Sequence, residues 1–290
     1  MPVLPSGLVR AADRVVPPAV MRRARVLKFD LSRRLHRDRV VEHTYAGVRH
    51  RVLIGSAYGE RYDADWPALK EIEWLRQRRL RPGSRVFDLG ASQGVIALML
   101  ADAVGESGSV VALEAHPKDA ETLVANQRLN TLRQLECVHA AVARESGTVV
   151  FARNGTVDDG TRRWGDLEVQ AYSIDELARR HGQPDVVFID VEGYEQEALL
   201  GAPLTLAAGP DWFVEVHGDD ALGRYGGSVQ GVIDVFADAG YELHYTPDSG
   251  YTTGADGTPV ARHPILPLPP EVRPQLTGRF FLLATRRRSA

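Results

Sequence analysis

A short apolar stretch that ends in an acid, followed by a glycine-containing turn and a helical segment, most constrains the fold of this chain. Residues 85–94 read RVFDLGASQG, and residues 95–101 (VIALMLA) continue as an apolar helix. Strand, tight turn and helix in this order form the first unit of a doubly wound α/β sheet, where ligands bind beyond the carboxyl ends of the strands. We therefore predict a Rossmann-like α/β fold with helices on both faces of its sheet and a ligand site at this turn.

Acids at two strand ends indicate which nucleotide the turn would bind. A pyrophosphate-binding turn has the pattern G-x-G-x-x-G, whereas this one reads Asp88-x-Gly90-x-x-x-Gly94. The second predicted strand, residues 109–113, is followed by Glu114, which is placed to accept hydrogen bonds from ribose hydroxyls. A carboxylate at position 88 would repel a pyrophosphate but attract the amino and sulfonium groups of S-adenosylmethionine. We therefore expect S-adenosylmethionine rather than NAD; the alternative is a turn without a ligand.

Composition and charge narrow the class of protein. The chain has 290 residues, of which 44% are hydrophobic and 25% charged, and its formal net charge is −3. This balance is that of an ordinary globular protein and gives no sign of a general nucleic-acid-binding surface. The single cysteine, Cys137, excludes a disulfide framework. Neither a stretch of membrane-spanning length nor a secretory signal pattern is visible, so we expect a soluble cytoplasmic protein.

Residues 1–60 are interpreted as an extension ahead of the main domain at residues 61–290. Arginines crowd residues 10–39, and apolar residues recur there at helical spacing, which predicts a basic amphipathic helix. This helix is either a cationic arm for a membrane surface, nucleic acid or anionic substrate, or a solvated helix that packs on the protein body or on a second subunit. Residues 40–54 carry β-rich patches around an alanine–glycine pair, which predict a hairpin.

Further elements are predicted from periodicity and capping. Residues 67–80 read as a helix, residues 135–142 as one strand and residues 148–151 as an added strand. Ser173 with Glu176 three residues later is the pattern of a capped helix start. Polar, aromatic or proline-rich segments on an α/β domain often cover ligands. We expect three such segments to form the acceptor pocket: residues 56–66, 152–168 and 264–274.

Acidic residues also follow two later strands. Residues 185–190 are almost continuously apolar, as in a parallel strand with both faces buried, and they end at Asp190, with Glu192 two positions later. The next predicted strand ends with Glu215 and His217. Because the carboxyl ends of parallel strands meet at the same edge of a sheet, we expect these side chains near the first glycine turn.

These motifs together resemble the FkbM family of S-adenosylmethionine-dependent methyltransferases. The resemblance rests above all on residues 188–195 (FIDVEGYE) with 199–201 (LLG), and also on residues 86–94, 113–117 and 214–217. It implies a seven-stranded sheet whose last strand is antiparallel, and methyl transfer that is usually to oxygen, often on sugars or secondary metabolites. His116 departs from the acid or other polar residue common in the family, so only Glu114 and Pro117 carry over from that motif.

Methyl transfer to a hydroxyl requires alignment of two reactants and a base for the hydroxyl proton. His217 is the first candidate because its ordinary pKa lies near neutrality, and Asp190 and Glu192 are alternatives. The structural alternative for His217 is a strand-end histidine bonded to a backbone carbonyl. These three residues and Glu215 could instead converge on Mg²⁺ or Mn²⁺. We expect no metal ion, because the carboxylates have a competing use in the acceptor pocket.

The predicted site residues form three groups. The catalytic group consists of His217, Glu192 and Asp190. The group for S-adenosylmethionine consists of Asp88, Gly90, Ala91, Ser92, Gln93, Gly94, Glu114, Ala115, Ala141 and Asp190. The acceptor group consists of Tyr58, Tyr62, Trp164, Glu192, Tyr194 and Glu215.

Three functions are compatible with these residues. The leading one is O-methylation of a small hydroxylated molecule by the methyltransferase domain at residues 61–290. The second is methylation of RNA or protein with the arginine-rich arm as an electrostatic contact, although the fourth strand end lacks the Asn/Asp-Pro-Pro-aromatic motif of base methylation. The third is a non-catalytic module that binds S-adenosylmethionine. The expected partner is a small-molecule acceptor rather than nucleic acid or a membrane, and a homodimer is an alternative.

Overall fold

The computed structural model of the protein describes residues 36–152, 156–157, 166–246, 251–253, 259–261 and 264–286. The basic helix predicted ahead of residue 36 and the acceptor residue Trp164 lie outside the described residues. Within them, no helix combines the length and the apolar character needed to cross a membrane.

Most strands of the described chain are short. In chain order they are β1 (Arg39–Tyr45), β2 (Val48–Ile54), β3 (Arg85–Leu89), β4 (Ser109–Glu114), β5 (Leu135–His139), β6 (Ala141–Val142), β7 (Gly147–Ala152), β8 (Thr156–Val157), β9 (Asp166–Tyr172), β10 (Val186–Ile189), β11 (Asp211–Val216), β12 (Glu242–Thr246), β13 (Tyr251–Thr253), β14 (Pro259–Ala261), β15 (Leu266–Pro267) and β16 (Phe280–Thr285).

The helices alternate with the strands of the main sheet. In chain order the described helices are α1 (Lys70–Arg76), α2 (Val95–Val104), α3 (Pro117–Leu129), α4 (Ile174–His181), α5 (Glu195–Leu200), α6 (Pro203–Ala208), α7 (Asp219–Leu222) and α8 (Val229–Asp238). Short 3₁₀ helices cover Gly59–Tyr62, Gly223–Tyr225 and Arg273–Gln275. The predicted start of α4 is confirmed, since Ser173 Oγ accepts a hydrogen bond from Glu176 N at 3.2 Å.

The main sheet has eight strands in the order β15-β12-β16-β11-β10-β3-β4-β5. The five strands from β11 to β5 are parallel, whereas β16 is antiparallel to both of its neighbours, β11 and β12. The predicted seven-stranded, mostly parallel Rossmann-like sheet with an antiparallel last strand is confirmed, and the two-residue β15 adds an eighth strand at one edge. This order places the carboxyl ends of β4, β3, β10 and β11 side by side.

Successive residues of the central strands enter two different apolar cores, so helices cover both faces of the sheet. In β3, Val86 belongs to the core that contains Leu98 of α2, and Phe87 belongs to the core that contains Leu177 of α4. All residues of β10 and β11 are buried. Burial on both faces explains why these strands read as almost continuous apolar runs.

The hairpin predicted at residues 40–54 is formed by β1 and β2. Its Tyr45 and Ile54 are completely buried in the same core as α2. Leu53 N donates a hydrogen bond to Asn126 Oδ1 of α3 at 2.6 Å, which binds the hairpin backbone to the body of the protein. The hairpin therefore fixes the start of the segment that follows it, residues 56–66.

The helix predicted at residues 67–80 is shorter than expected. Trp66 N donates to Thr44 O at 2.9 Å, which keeps the chain extended beside β1, and α1 begins only at Lys70. At the other end, the amides of Arg78 and Leu80 both donate to Leu75 O and close the helix in a turn.

The strand predicted at residues 135–142 is two strands in different sheets. Ala140 N donates to Glu114 O at 3.1 Å, and this contact bends the chain between β5 and β6. β6 then joins β9, β7 and β8 in a small four-stranded sheet. β7 includes the added strand predicted at residues 148–151.

Candidate active site

The turn between β3 and α2 carries most of the predicted cofactor residues, and its backbone explains the glycine at position 90. Gly90 has a φ of +93°, and a Cβ there would lie 1.8 Å from the carbonyl oxygen of Asp190. The amides of Gly90 and Ala91 both donate to Leu113 O, at 2.9 and 2.8 Å. The absence of a side chain thus lets the turn lie directly against the ends of β4 and β10.

Asp88 lies in β3 with a buried carboxylate. The residue is 5% exposed, and its Oδ2 has no hydrogen-bond partner among the described residues. Desolvation, and then the charges of Asp190 and Glu114, raise the pKa of Asp88 to about 7. An uncompensated buried carboxylate is unfavourable unless a ligand donates hydrogen bonds or positive charge to it. The amino group of S-adenosylmethionine is such a ligand, so Asp88 fits the expected cofactor.

Glu114, the last residue of β4, is held by the main chain. Its Oε2 accepts a hydrogen bond from Ser92 N and its Oε1 accepts one from His116 N, both at 2.7 Å. Burial raises the pKa of Glu114 to about 7, and the hydrogen bond from His116 N opposes this shift. Each carboxylate oxygen has two lone pairs, so both oxygens can still accept hydrogen bonds from ribose hydroxyls. The geometry of Glu114 therefore also fits the cofactor.

Three other predicted cofactor residues have buried side chains with structural contacts. The side-chain nitrogen of Gln93 donates to Ser56 Oγ and to Asp119 Oδ1, which connects the turn with the segment after the hairpin and with α3. Ala115 and Ala141 are 9% and 5% exposed and pack in a small cluster of apolar residues. Contacts of these residues and of Gly94 with a cofactor stay predictions.

A second tight turn follows β10 and carries Asp190 and Glu192. Asp190 N donates to Leu89 O at 2.9 Å, which keeps this turn beside β3. Glu192 has a left-handed backbone with a φ of +56°, which is uncommon for a residue that has a side chain. Oδ1 of Asp190 lies 3.7 Å and Oε2 of Glu192 lies 3.4 Å from His217 Nε2. The turn thus brings the three predicted catalytic residues together.

His217 follows β11, and its side chain is only 7% exposed. Its Nδ1 lies 2.8 Å from Oε1 of the completely buried Glu195, an oxygen that also accepts a hydrogen bond from Gly193 N at 2.8 Å. A carboxylate only accepts hydrogen bonds, so Nδ1 carries the hydrogen and Nε2 faces Asp190 and Glu192. His217 Nδ1 therefore contacts a carboxylate, not the backbone carbonyl that was its structural alternative.

The charges around His217 determine its protonation. Burial lowers the pKa of His217, but the hydrogen bond to Glu195 and the charges of Glu195, Asp190 and Glu192 outweigh it and raise the pKa to about 9. The Asp190 side chain is partly exposed, but its Oδ1, which faces His217, is buried; this desolvation raises the pKa of Asp190, and the charge of His217 opposes the shift. At neutral pH the free protein therefore holds an imidazolium among carboxylates at this strand end.

The same three catalytic residues lie close enough together to ligate one cation. One oxygen of Asp190, one oxygen of Glu192 and one nitrogen of His217 all lie within 4.8 Å of one another. Oxygen and imidazole ligands suit Mg²⁺ or Mn²⁺. The same atoms would face an acceptor hydroxyl if His217 were a general base, so the geometry fits metal binding and base catalysis alike. A chelator experiment distinguishes the two.

The predicted acceptor residues near β11 make contacts of different kinds. Glu215 forms an ion pair with Arg279, and its Oε1 lies 4.0 Å from His217 Nε2. The ring of Tyr194 packs edge-on against that of Tyr225, with the two centroids 4.9 Å apart. Glu215 thus belongs to the same charged group as His217, whereas Tyr194 is held beside it by an aromatic contact.

The remaining acceptor residues lie on the 3₁₀ helix Gly59–Tyr62 and directly before it. Tyr58 is 50% exposed, and Tyr62 is 4% exposed. Between them, the Arg61 guanidinium carbon lies 3.9 Å from the centroid of the Tyr58 ring and 4.8 Å from that of Tyr62. The two tyrosine rings thus hold the Arg61 guanidinium, a positive charge that was not predicted from the sequence.

Two charged residues of the site were missed from the sequence. Glu195 orients His217, and its signal was the last acid of the VEGYE motif, three residues after Glu192. Arg61 had no signal beyond its position between two tyrosines, because its role depends on how residues 56–66 fold over the cofactor turn.

The chain matches one protein family and is similar to several solved structures. Residues 88–243 match the methyltransferase FkbM domain. Among solved structures, the chain is similar to precorrin-6y C5,15-methyltransferase of Geobacter metallireducens, with 16% identity over 75% of this chain and 89% of that one and a TM-score of 0.42. It is also similar to fibrillarin of Aeropyrum pernix with bound S-adenosylmethionine, with 14% identity over 87% and 84% of the two chains and a TM-score of 0.42. No curated protein matches the chain.

The strand order and the acids at the strand ends define an α/β fold of the methyltransferase class. The matched domain covers more than half of the chain, and the chain belongs to the FkbM methyltransferase family. It is therefore an S-adenosylmethionine-dependent methyltransferase, and the family confirms the predicted cofactor. The acceptor and the atom that receives the methyl group do not follow from the family match.

Proposed function

We propose that this methyltransferase acts on a hydroxyl oxygen of a small molecule and that His217 is the general base. The proposal is carried by the Glu195–His217 pair, whose 2.8 Å contact at Nδ1 leaves Nε2 free to face other groups. Nε2 faces the sheet edge at which β3, β4, β10 and β11 end in acids, which we call the acid-lined edge. A neutral hydroxyl needs such a base, since its proton must leave as the new bond to carbon forms.

Different residues of this chain would bind the methyl donor and remove the proton of the acceptor. S-adenosylmethionine supplies the methyl group from an activated sulfonium. Asp88 and Glu114 would hold its amino group and ribose, which leaves the methyl group facing the ends of β10 and β11. In the fraction of the protein whose imidazole is neutral, His217 Nε2 would accept the acceptor proton, and Glu195 would stabilise the resulting imidazolium through Nδ1. Alignment of this kind is the main catalytic task when the donor is already activated.

Asp190 and Glu192 would position the acceptor. Their side chains are 42% and 51% exposed, so a ligand that enters from solvent can reach both. Two carboxylates accept several hydrogen bonds, and an acceptor with neighbouring hydroxyls would satisfy them. This supports a sugar or a hydroxylated secondary metabolite, with Tyr58, Tyr62 and Tyr194 as further contacts.

The direct test is a methylation assay with labelled S-adenosylmethionine and a panel of hydroxylated metabolites from the source organism. We expect transfer to at least one compound by the wild type and transfer reduced at least 100-fold in His217→Gln, since general bases contribute about 10²–10⁴-fold. His181→Gln is the matched control, because His181 contacts Glu136 at the end of α4 rather than the acid-lined edge. Equal activity of His217→Gln and the wild type would remove His217 as the base.

A divalent cation at Asp190, Glu192 and His217 is the alternative mechanism. It is supported by the same short separations of their ligand atoms. Activity that is lost with a chelator and restored by Mg²⁺ would favour the metal, whereas activity that is indifferent to the chelator leaves His217 as the base.

Methylation of RNA or protein is the second candidate function, and it depends on the arginine-rich arm. The domain boundary at residue 60 is part of the same proposal. Deletion of residues 1–35 tests it without removing β1. We expect small-molecule turnover to survive; loss of RNA retention alone would favour the second function, and cofactor binding without transfer to any acceptor would favour a non-catalytic module.

The cytoplasmic location and a homodimer also belong to the proposal. Cell fractionation checks the first, and light scattering of the full chain and of the chain without residues 1–35 checks the second. A dimer that is lost with the deletion would assign the arm to subunit contact.

A further inference from the structure

We propose that Arg61 binds the carboxylate of the methionine part of S-adenosylmethionine. This inference goes beyond the proposed acceptor chemistry, because it concerns how the chain holds its cofactor. It assigns a binding role to the 3₁₀ helix Gly59–Tyr62, which precedes the matched FkbM domain in the chain.

The Arg61 guanidinium is held in place but has donors left. Its Nη2 donates to Tyr62 Oη at 2.7 Å, and its carbon lies over the rings of Tyr58 and Tyr62. Cation–π contacts of this kind fix a guanidinium without using its N–H groups in the plane. A guanidinium has five N–H donors in a fork that matches a carboxylate, so most of them remain for a ligand.

Arg61 is next to the cofactor turn as well as to the acid-lined edge. Gly55 N donates to Gln93 Oε1 at 3.3 Å, and Gln93 Nε2 donates to Ser56 Oγ, so the segment that carries Arg61 lies against the turn after β3. Within that turn, Ser92 N donates to Glu114 Oε2. The charge of Asp190 also acts on Arg61. Arg61 therefore lies where the turn after β3 faces the end of β10.

A ligand carboxylate at this edge would be stabilised by a nearby cation. Asp88, Glu114, Asp190 and Glu192 all lie at the strand ends, and a ligand carboxylate among them would be repelled. Arg279 is paired with Glu215. In the described part of the chain Arg61 has no carboxylate within ion-pair distance, so its positive charge is available to a ligand.

The order of the ribose, amino and carboxylate groups along S-adenosylmethionine agrees with a carboxylate position near Arg61. Glu114 fits the ribose and Asp88 fits the amino group, which orients the amino-acid end of the cofactor towards the junction of the turn with Asp190. The carboxylate on the same carbon as the amino group would then lie on the side of the site where Arg61 lies. A bidentate guanidinium–carboxylate pair gives both affinity and a fixed orientation of the methyl donor.

The test compares two ligands that differ by the carboxylate alone, S-adenosylmethionine and decarboxylated S-adenosylmethionine, by calorimetric titration. We expect the wild type to prefer the first ligand at least tenfold, because only this ligand can form the charge-assisted pair. Arg61→Gln should bind both ligands with similar affinity, and Arg61→Lys should recover part of the preference. Arg49→Gln on the exposed hairpin is the matched control and should keep the full preference.

The ratio of the two affinities separates binding from folding. Partial unfolding of Arg61→Gln would weaken both ligands by the same factor, and a lowered affinity with an unchanged ratio would overturn the proposal. A preference that persists in Arg61→Gln would place the carboxylate elsewhere. Unchanged affinities with a raised acceptor KM would assign Arg61 to the acceptor instead, and none of these results depends on His217 being the base.

Discussion

The two halves of the acid-lined edge hold their carboxylates in different ways. In the half that we propose binds the cofactor (the cofactor half, formed by the ends of β3 and β4), Asp88 and Glu114 are 5% and 9% exposed. In the half that we propose binds the acceptor (the acceptor half, formed by the ends of β10 and β11), the side chains of Asp190 and Glu192 are 42% and 51% exposed around the buried His217. Rigid, buried groups suit one invariant ligand, whereas an open pair of acids suits acceptors of various shapes.

The halves also differ in what fixes the key carboxylate. Main-chain amides from the cofactor turn and from the start of α3 hold Glu114. In the acceptor half, Glu195 at the start of α5 accepts a hydrogen bond from Gly193 N and contacts His217, which follows β11. Both sites join two chain segments, but main-chain donors hold Glu114, whereas a side-chain pair holds His217. The comparison predicts that substitutions in the two halves have separable effects.

The largest expected effect is on turnover in the acceptor half. His217→Gln should lower kcat by about 10²–10⁴-fold, the usual contribution of a general base. Its cofactor affinity should remain within twofold of the wild type, because Asp88 and Glu114 are untouched. Steady-state rates with the identified acceptor, together with calorimetry, check both parts. A loss of cofactor affinity equal to the loss of turnover would break the separation of the halves.

The next effect is on cofactor affinity. Asp88→Ala and Glu114→Ala each remove a charge-assisted hydrogen bond, so the Kd for S-adenosylmethionine should rise by about 10- to 100-fold. Calorimetric titration measures it, with Asp238→Ala on the exposed end of α8 as the control. Wild-type affinity in both variants would contradict the binding of S-adenosylmethionine by Asp88 and Glu114.

A smaller, pH-dependent effect tests the link between Glu195 and His217. The base must be neutral, and the pKa of His217 is raised to about 9, so kcat/KM should rise with pH up to that value. Glu195→Gln removes the charge that raises the pKa but keeps an oxygen that can accept from Nδ1, while burial continues to lower the pKa. The midpoint of the pH profile should therefore move to lower pH, by about one unit or more. An unchanged midpoint would show that another group titrates.

The smallest effect is on folding. The pKa of Asp88 is raised from 3.8 to about 7, so the stability contributed by its protonated form is present below pH 3.8 and lost as the pH rises through 7. Asp88→Asn should increase the free energy of unfolding at pH 8 by about 1–3 kcal/mol and by less at pH 5. Urea denaturation at both pH values checks this. A destabilised variant at pH 8 would mean that the Asp88 charge is compensated within the protein.

The meeting of Asp88, Gly90 and Glu114 at one edge of the sheet could be predicted from sequence. Each stands at the end of a short apolar run, and parallel strands bring such ends to one edge. Their contacts with the cofactor stay predictions. The acids at Asp190 and Glu192 followed from the same rule and from the family motif.

The missed features depend on contacts between distant segments. Glu195 acquires its function only because β11 delivers His217 to it, 22 residues later in the chain. Arg61 contacts Tyr58 and Tyr62 in a segment whose position depends on the hairpin and on the contact of Gln93 with Ser56. The strand at residues 135–142 looks continuous in sequence, but the contact from Ala140 N to Glu114 O bends it. Patterns along the chain do not encode such contacts.

Calorimetric titration of S-adenosylmethionine into Asp88→Ala and His217→Gln, side by side with the wild type, tests the division of the edge most directly. We predict wild-type affinity in His217→Gln and an affinity lowered by about 10- to 100-fold in Asp88→Ala. The reverse pattern, or equal losses in both variants, would contradict the assignment of the two halves to two different ligands.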